Sequence, residues 1–245
     1  MTDEEREGYL EFLTSRRARI LARIEEAARV SGRGADQVEA IAVSKTVGVD
    51  EVVLAWRAGW RAFGENRPQE LVRKLAGIES HPEMDGVRFD MIGNLQTNKI
   101  NQVLGRVSLI HSVSSAHLAK AISKRAEVRG HSERVLLEVN VSGEESKSGF
   151  TPEEVHSEMD DLLGMGGIEI CGLMTMAPAN DPDAARRTFS GLRELREQLS
   201  SESGLGLATL SCGMSDDFAI AVEEGSTLVR LGRTVFDPNH DLVTE

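Results

Sequence analysis

The feature that most constrains this chain is a regular alternation of short apolar runs with helix-forming segments. Eight runs rich in apolar and β-branched residues occur along it, at 41–45, 61–64, 88–93, 109–113, 134–140, 168–176, 209–214 and 227–236. Strands that alternate with helices predict parallel pairing, because a crossover helix returns the chain to the same end of the sheet. Eight such units favour a closed (β/α)8 TIM barrel over an open doubly wound sheet.

Helix signals fill the gaps between these runs. Ser115 precedes an amphipathic segment and is a candidate N-cap. Thr151 and Glu154 have the spacing of a capping box, in which each side chain satisfies an exposed amide of the other residue. Asp181 and Pro182 combine a cap with a proline at the first helical position. These signals indicate where three of the crossover helices begin.

A further helix is predicted ahead of the first strand. The apolar residues of the opening segment recur at roughly helical spacing, at Leu10, Leu13, Ile20, Ile24 and Ala27. A glycine-rich stretch at 31–34 ends this segment. We therefore expect a single barrel domain over residues 1–245, with residues 1–32 as a helical extension packed on the barrel and no second domain.

Composition and charge narrow the classes of function. The net charge of −12 argues against a nucleic-acid partner, because affinity for phosphate backbones needs clustered Lys and Arg. The one basic stretch, 120–129, is explained as a solvated helix face. No run of 18 apolar residues suggests a membrane span, and no apolar signal segment opens the chain. The two cysteines, Cys171 and Cys212, lie inside apolar runs, which favours a cytoplasmic protein.

Polar and glycine residues cluster directly after the predicted strands, where parallel barrels place their chemistry. In the first run, Ile41, Val43 and Lys45 share one face by the period of two. If the first two residues fill the barrel interior, the amine of Lys45 lies at its mouth, where dehydration favours the neutral form that attacks a carbonyl. The alternative is a strand-ending lysine that reaches into solvent.

Arg230 is a charge inside an apolar strand, on the same face as Leu228 and Gly232. Burying it is costly unless another group pairs with it. One interpretation is an arginine bridged to a core carboxylate. The other is a donor to the ring nitrogen of a bound cofactor.

The loops after the last two strands have the composition of a phosphate site. Met214 and Ser215 follow a glycine at the end of the seventh run, with Ser215 as a candidate N-cap of the next helix. Gly232, Arg233 and Thr234 end the eighth run beside them. Barrels often bind phosphate at these two loops.

Asn66 follows the second run and has two possible roles, as the cap of the helix that begins near Pro68 or as a ligand contact at the same strand end. The six histidines show no spacing typical of a metal site, and the acidic residues form no ligand cluster. We expect no metal.

The chain resembles the pyridoxal phosphate homeostasis protein family, which comprises single barrels related to the N-terminal domain of alanine racemase. The segments that carry the resemblance span nearly the whole sequence in order, at 42–46 (AVSKT), 63–70 (FGENRPQE), 92–99 (IGNLQTNK), 139–149 (VNVSGEESKSG), 172–178 (GLMTMAP) and 210–232 (LSCGMSDDFAIAVEEGSTLVRLG).

The resemblance implies a site for pyridoxal 5′-phosphate (PLP). Lys45 is implied as the Schiff-base lysine and Arg230 as the partner of the pyridine nitrogen. Met214, Ser215 and Gly232 are implied at the phosphate, and Asn66 at the edge of the ligand.

The sequence departs from the family's usual residues at three positions. Arg233 stands where members often have Thr or Ser, so the phosphate gains a cation and loses a hydroxyl unless Thr234 supplies one. Asp90 replaces a usual histidine, and Asp237 replaces a common glycine. These departures affect the rim of the expected site more than its lysine.

The resemblance leaves the activity open among three classes. Alanine racemases use a tyrosine from a second domain as their second base, but this chain has one tyrosine, Tyr9, and ends shortly after its last predicted strand. We therefore expect a PLP carrier or regulator in PLP homeostasis, without a dedicated reaction. The alternatives are a low-activity PLP-dependent amino-acid racemase and a Schiff-base aldolase. We expect a monomer that passes PLP to PLP-dependent apo-enzymes.

Overall fold

The computed structural model describes residues 1–242, in which eight parallel strands form a closed barrel in chain order, β1-β2-β3-β4-β5-β6-β7-β8. The predicted barrel is thereby confirmed. The strands are β1 Glu39–Val43, β2 Ala62–Glu65, β3 Arg88–Met91, β4 Leu109–Val113, β5 Glu133–Glu138, β6 Ile168–Met174, β7 Thr209–Ser211 and β8 Leu228–Leu231.

Helices cover the outside of this barrel. Their bounds are α1 Asp3–Val30, α2 Val49–Arg57, α3 Pro68–Ile78, α4 Ala116–Val128, α5 Pro152–Leu163, α6 Pro182–Ser203, α7 Phe218–Glu223 and α8 Arg233–Phe236. Three short 3₁₀ helices occupy Ala35–Gln37, Pro82–Met84 and Thr97–Gln102, the last of which is the crossover between β3 and β4. None of the helices in residues 1–242 has the length and apolar character that a membrane span needs.

The predicted helix starts at the three caps are confirmed. The Leu118 amide donates to the Ser115 hydroxyl at 3.2 Å. Thr151 forms both bonds of its capping box, and the side chain of Asp181 accepts from the Ala184 amide at 2.9 Å. Side chains that satisfy the first amides of a helix fix where it begins, because those amides have no partner within the helix.

The buried side chains form two separate groups. The larger lies between the sheet and the helices, while a smaller apolar cluster fills the barrel interior and consists of Ile41, Ala62, Leu109, Leu136, Met174 and Leu228. Because side chains alternate across a strand, the residues two positions along from these also point inward. That rule places Val43, His111, Glu138 and Arg230 on the inner wall.

Six strands end two or more residues before the predicted runs do, and the last two differ most. The run predicted as a strand at 227–236 is a strand only to Leu231, and helix α8 follows because the Val235 and Phe236 amides both donate to the Gly232 carbonyl. Strand β7 ends at Ser211, and Gly213 leaves the strand with φ +95°. A Cβ on Gly213 would lie 2.6 Å from the Cβ of Ala221, so this tight exit requires glycine.

Helix α1 packs against α2, α7 and α8. Its buried positions include Leu13, Ile20, Ile24 and Ala27, four of the five residues that defined the predicted face. The Arg16 guanidinium donates to the carbonyl oxygens of Thr234 (3.0 Å) and His240 (2.9 Å). The opening helix is therefore joined directly to the segment that follows β8.

Candidate binding site at the carboxyl ends of the strands

A cavity of about 500 Å³ opens at the carboxyl ends of the strands. Of the eight residues that the sequence predicts for the site, seven line it: Lys45, Asn66, Met214, Ser215, Arg230, Gly232 and Arg233. Thr234 is the eighth, and it lies buried outside the lining. Residues far apart in the chain meet here because parallel strands deliver all their carboxyl ends to one face.

Lys45 lies two residues beyond β1, in the turn that leads to α2. The Ser44 amide still donates to the Gly64 carbonyl at 3.0 Å, which continues the β1–β2 pairing up to the lysine. Lys45 lines the cavity but is exposed, so the dehydration expected from the sequence is not observed.

A buried ion pair supports this turn from behind. The ammonium of Lys74, on α3, donates to the Ser44 carbonyl at 2.5 Å and contacts the Glu65 carboxylate. The Ser44 hydroxyl donates to the same carboxylate at 2.6 Å. Lys74 and Glu65 are fully buried, so the residue before Lys45 is held by charged groups that have no access to water.

Arg230 is 4% exposed and lines the cavity. One of its terminal nitrogens donates to the carbonyl (2.7 Å) and the hydroxyl (2.6 Å) of Ser211, and the other donates to the Thr175 carbonyl at 3.1 Å. In the part of the chain that the structure describes, no carboxylate lies within 4 Å of this guanidinium, so the alternative of a direct bridge to a core carboxylate is wrong.

Glu138 is a carboxylate in the cavity wall that sequence reasoning missed. It ends β5 and is 4% exposed. Burial raises the pKa of Glu138, and the nearby positive charge of Arg230 opposes that rise. The available signal was a single acidic residue inside the apolar run VLLEV.

Two hydrogen bonds connect the loop after β7 to the loop after β8. The Thr234 amide donates to the Ser215 hydroxyl at 3.1 Å, and the Thr234 hydroxyl donates to the Ser215 carbonyl at 3.2 Å. The interpretation of Ser215 as a helix N-cap is wrong, because α7 begins only at Phe218. The Met214 amide donates to Asp217 at 2.6 Å instead. Ser215 thus joins two loops at the rim.

Arg233 lies at the rim of the cavity with its side chain 63% exposed. Its guanidinium donates to the Asp216 carboxylate at 2.5 Å. The His240 imidazole lies 3.8 Å from the other oxygen of that carboxylate. The rim therefore presents the Arg233 guanidinium, whose positive charge is partly balanced by the Asp216 carboxylate.

Asn66 lines the cavity and does not cap α3, whose N-cap is Arg67 without a side-chain bond. The loop that contains Asn66 packs on Gly93, where a Cβ would lie 2.3 Å from the Asn66 carbonyl oxygen. Only glycine permits so close an approach.

The arrangement combines three chemical capabilities in one cavity. It presents a primary amine that can attack a carbonyl, a buried guanidinium that donates to an acceptor, and a rim with a hydroxyl and a cation suited to an anion. Within residues 1–242 there is no group of three His, Cys, Asp or Glu side chains that could hold a metal ion.

Comparison with known proteins identifies the family to which this chain is similar. Residues 16–239 match the family described as alanine racemase, N-terminal domain. The pyridoxal phosphate homeostasis protein of Aquifex aeolicus is 39% identical over 222 residues, which cover 90% of this chain and 96% of that protein.

Solved structures show the same fold over most of the chain. A Bifidobacterium adolescentis protein described as unknown superposes with a TM-score of 0.88 at 39% identity, covering 96% of this chain and 97% of that one. PipY of Synechococcus elongatus, solved with PLP bound, superposes with a TM-score of 0.77 at 32% identity, covering 87% and 99%. The chain therefore belongs to the pyridoxal phosphate homeostasis protein family, built on the alanine racemase N-terminal domain.

Proposed function

We propose that this protein binds PLP as a Schiff base on Lys45 and serves as a PLP carrier or regulator in PLP homeostasis. The observation that supports this most is the placement of Lys45 and Arg230 in the wall of one cavity of about 500 Å³. That volume lies within the range of small-molecule sites, which is about 300–1,000 Å³. The PLP bound to PipY supports the choice of ligand.

The residues of the cavity fit the three functional parts of PLP. The Lys45 amine is assigned to the aldehyde carbon, the electrophilic centre that PLP supplies when bound. Arg230 is assigned to the pyridine nitrogen, because its guanidinium is buried at the cavity and no carboxylate among the described residues contacts it. An arginine there keeps that nitrogen unprotonated.

The phosphate is assigned to the rim formed by the loops after β7 and β8. Met214, Ser215, Gly232 and Arg233 line the cavity there, and Asn66 lies at another edge. Thr234 is assigned an indirect role, because its amide and hydroxyl both hold Ser215.

A carrier is favoured over an amino-acid racemase because of where the chain's one tyrosine lies. Tyr9 is on α1, and its hydroxyl donates to the Phe236 carbonyl at 2.8 Å. Burial, together with nearby acidic residues, raises its pKa to about 12. Tyr9 does not line the cavity, so it is not placed to exchange a proton with a substrate bound there.

The remaining parts of the proposal concern the setting of the protein. We propose a cytoplasmic monomer, one PLP-binding domain over residues 1–245, that passes PLP to apo-enzymes. Cys171 and Cys212 are both free thiols, which agrees with a reducing compartment.

Borohydride reduction of the protein after incubation with PLP, followed by peptide mass mapping, tests the attachment. We expect the label on Lys45 and its loss in Lys45→Ala. Lys99→Ala is the matched control, because Lys99 lines a neighbouring pocket together with Asn66 and should not affect labelling. A Lys45→Ala protein that keeps the full spectrum of lysine-bound PLP would refute the assignment.

The absence of a dedicated reaction is tested with amino-acid enantiomers. We expect pure protein loaded with PLP to show negligible racemisation beside a dedicated racemase. A comparable rate would replace the carrier with the racemase alternative, and Glu138→Gln would then test whether this carboxylate is a base.

A further inference from the structure

A row of buried polar residues crosses the barrel interior beneath the cavity. It consists of Asp90 on β3, His111 on β4, Ser211 on β7 and Arg230 on β8, all at most 4% exposed. Asp90 is paired with Leu109 and Ser211 with Met174, and both apolar partners belong to the interior cluster. These polar side chains therefore occupy core positions, where each needs a partner.

Consecutive members of the row are in contact. Arg230 donates to the Ser211 hydroxyl at 2.6 Å, and that hydroxyl lies 2.9 Å from Nδ1 of His111. Nε2 of His111 lies 3.3 Å from Oδ2 of Asp90. Arg230 lines the cavity at the carboxyl ends, and Asp90 lines a cavity of about 90 Å³ at the amino ends. The row thus connects the two ends of the barrel.

The direction of these hydrogen bonds follows from the donor capacity of each group. A guanidinium only donates, so the Ser211 oxygen accepts from Arg230. At the other end of the row the Asp90 carboxylate only accepts, so Nε2 of His111 donates to it. A neutral imidazole with its proton on Nε2 accepts at Nδ1, so the hydrogen of the Ser211 hydroxyl is directed there. Burial lowers the pKa of His111, which favours this neutral form, although the bond to Asp90 opposes the shift.

Within residues 1–242 no carboxylate directly contacts Arg230, yet its charge is buried. Glu138 and Asp217 interact with it electrostatically but do not contact it. Asp90 is the carboxylate that hydrogen bonds connect to Arg230. Its other neighbour, Nε of Arg88, lies 3.6 Å from Oδ1, beyond hydrogen-bond distance.

A Ser–His–Asp set is also typical of hydrolases that use the serine as a nucleophile, but the geometry here excludes that function. Ser211 and His111 are 0% exposed, and the Ser211 hydroxyl is occupied by Arg230. A nucleophile needs access to its substrate and a base free to take its proton.

We propose that Asp90, acting through His111 and Ser211, holds the Arg230 guanidinium in the orientation that meets the pyridine nitrogen of PLP. The inference rests on the proposed function for its ligand. Asp90, His111 and Ser211 are positioning residues, because none of them lines the cavity assigned to PLP. They are connected to that cavity only by their hydrogen bonds to Arg230.

Asp90→Asn provides the first test, because it keeps the shape and one acceptor oxygen but removes the charge. We expect the dissociation constant for PLP to rise about tenfold, the scale of one charge-assisted hydrogen bond, with a shifted absorption maximum of bound PLP. Glu39→Gln is the matched control, since Glu39 pairs with Arg88 at the same end of the barrel without contacting His111. Wild-type affinity and spectrum in Asp90→Asn would overturn the proposal.

A double-mutant cycle separates a hydrogen-bonded connection from a general field effect. If Asp90 acts through Ser211, then Asp90→Asn causes little further loss of PLP affinity in a Ser211→Ala background. Equal losses in both backgrounds would show that Asp90 acts through space and would contradict the proposal.

A third measurement does not depend on PLP. The ¹⁵N shifts of His111 in protein without added PLP, assigned by comparison with His111→Gln, should show the neutral tautomer protonated at Nε2. A proton on Nδ1 would overturn the inference, even if PLP binding is confirmed. Conversely, wild-type protein that shows this tautomer but binds no PLP would refute the proposed function and leave the hydrogen-bonded row intact.

Discussion

Arg233 replaces the Thr or Ser that the family resemblance leads us to expect, at the rim assigned to phosphate. Because its side chain is 63% exposed and paired with Asp216, its net effect on an anion is small. We predict that Arg233→Thr weakens PLP binding about threefold, measured by spectrophotometric titration at low ionic strength.

Asp216→Asn is the partner experiment for Arg233. It removes the anion that balances this guanidinium, so we expect it to strengthen PLP binding by a similar factor. An unchanged dissociation constant in both variants would mean that Arg233 is directed at solvent.

Glu138 gives a prediction about pH. Burial raises the pKa of Glu138 above its usual 4.5, so the folded state binds more protons than the unfolded state as the pH rises from that value. Stability from the protonated carboxyl is therefore lost as the pH rises through the folded pKa. We predict that Glu138→Gln becomes progressively more stable relative to wild type over this window, measured by urea unfolding.

The comparison with wild type isolates Glu138 from other titrating groups. Burial also raises the pKa of Asp217 and lowers that of His111. Because both groups are present in wild type and variant, their contributions cancel in the difference between the two unfolding free energies. A difference in unfolding free energy that stays constant with pH would contradict the prediction.

At the scale of elements, the β1 turn and helix α3 are joined by the buried pair of Lys74 and Glu65. Removing one member leaves an uncompensated buried charge. We predict that Lys74→Met lowers the free energy of unfolding by about 3–5 kcal/mol. The double variant Lys74→Met/Glu65→Gln should recover much of this loss, and a double variant no more stable than the single one would count against the pair.

The bounds of the helices and strands were largely predictable from the sequence where they depend on neighbouring residues. Ser115, Thr151 and Asp181 cap helices as predicted, since a cap depends on amides within three or four residues. The end of β8 was not predicted, because apolar residues occur on both sides of Gly232 and apolar content alone does not distinguish a short buried strand from a helix.

At the scale of the whole molecule, α1 and the segment after β8 are held together. Arg16 is buried, and it bonds two carbonyls more than 200 positions away. We predict that Arg16→Ala lowers the free energy of unfolding by about 2 kcal/mol, because the buried Thr234 carbonyl and the partly buried His240 carbonyl lose a charged donor. Arg19→Ala, on the exposed face of the same helix, is the control and should change stability little.

The sequence by itself determined the alternation of strands and helices, the closed barrel and seven residues of the cavity wall. Each follows from a local rule: period, capping, or the position of polar residues after a strand. The tertiary structure alone decided that Asp90, His111, Ser211 and Arg230 meet. A period of two fixes which residues share a face, but the stagger of the closed barrel sets the height at which residues from four strands come into contact.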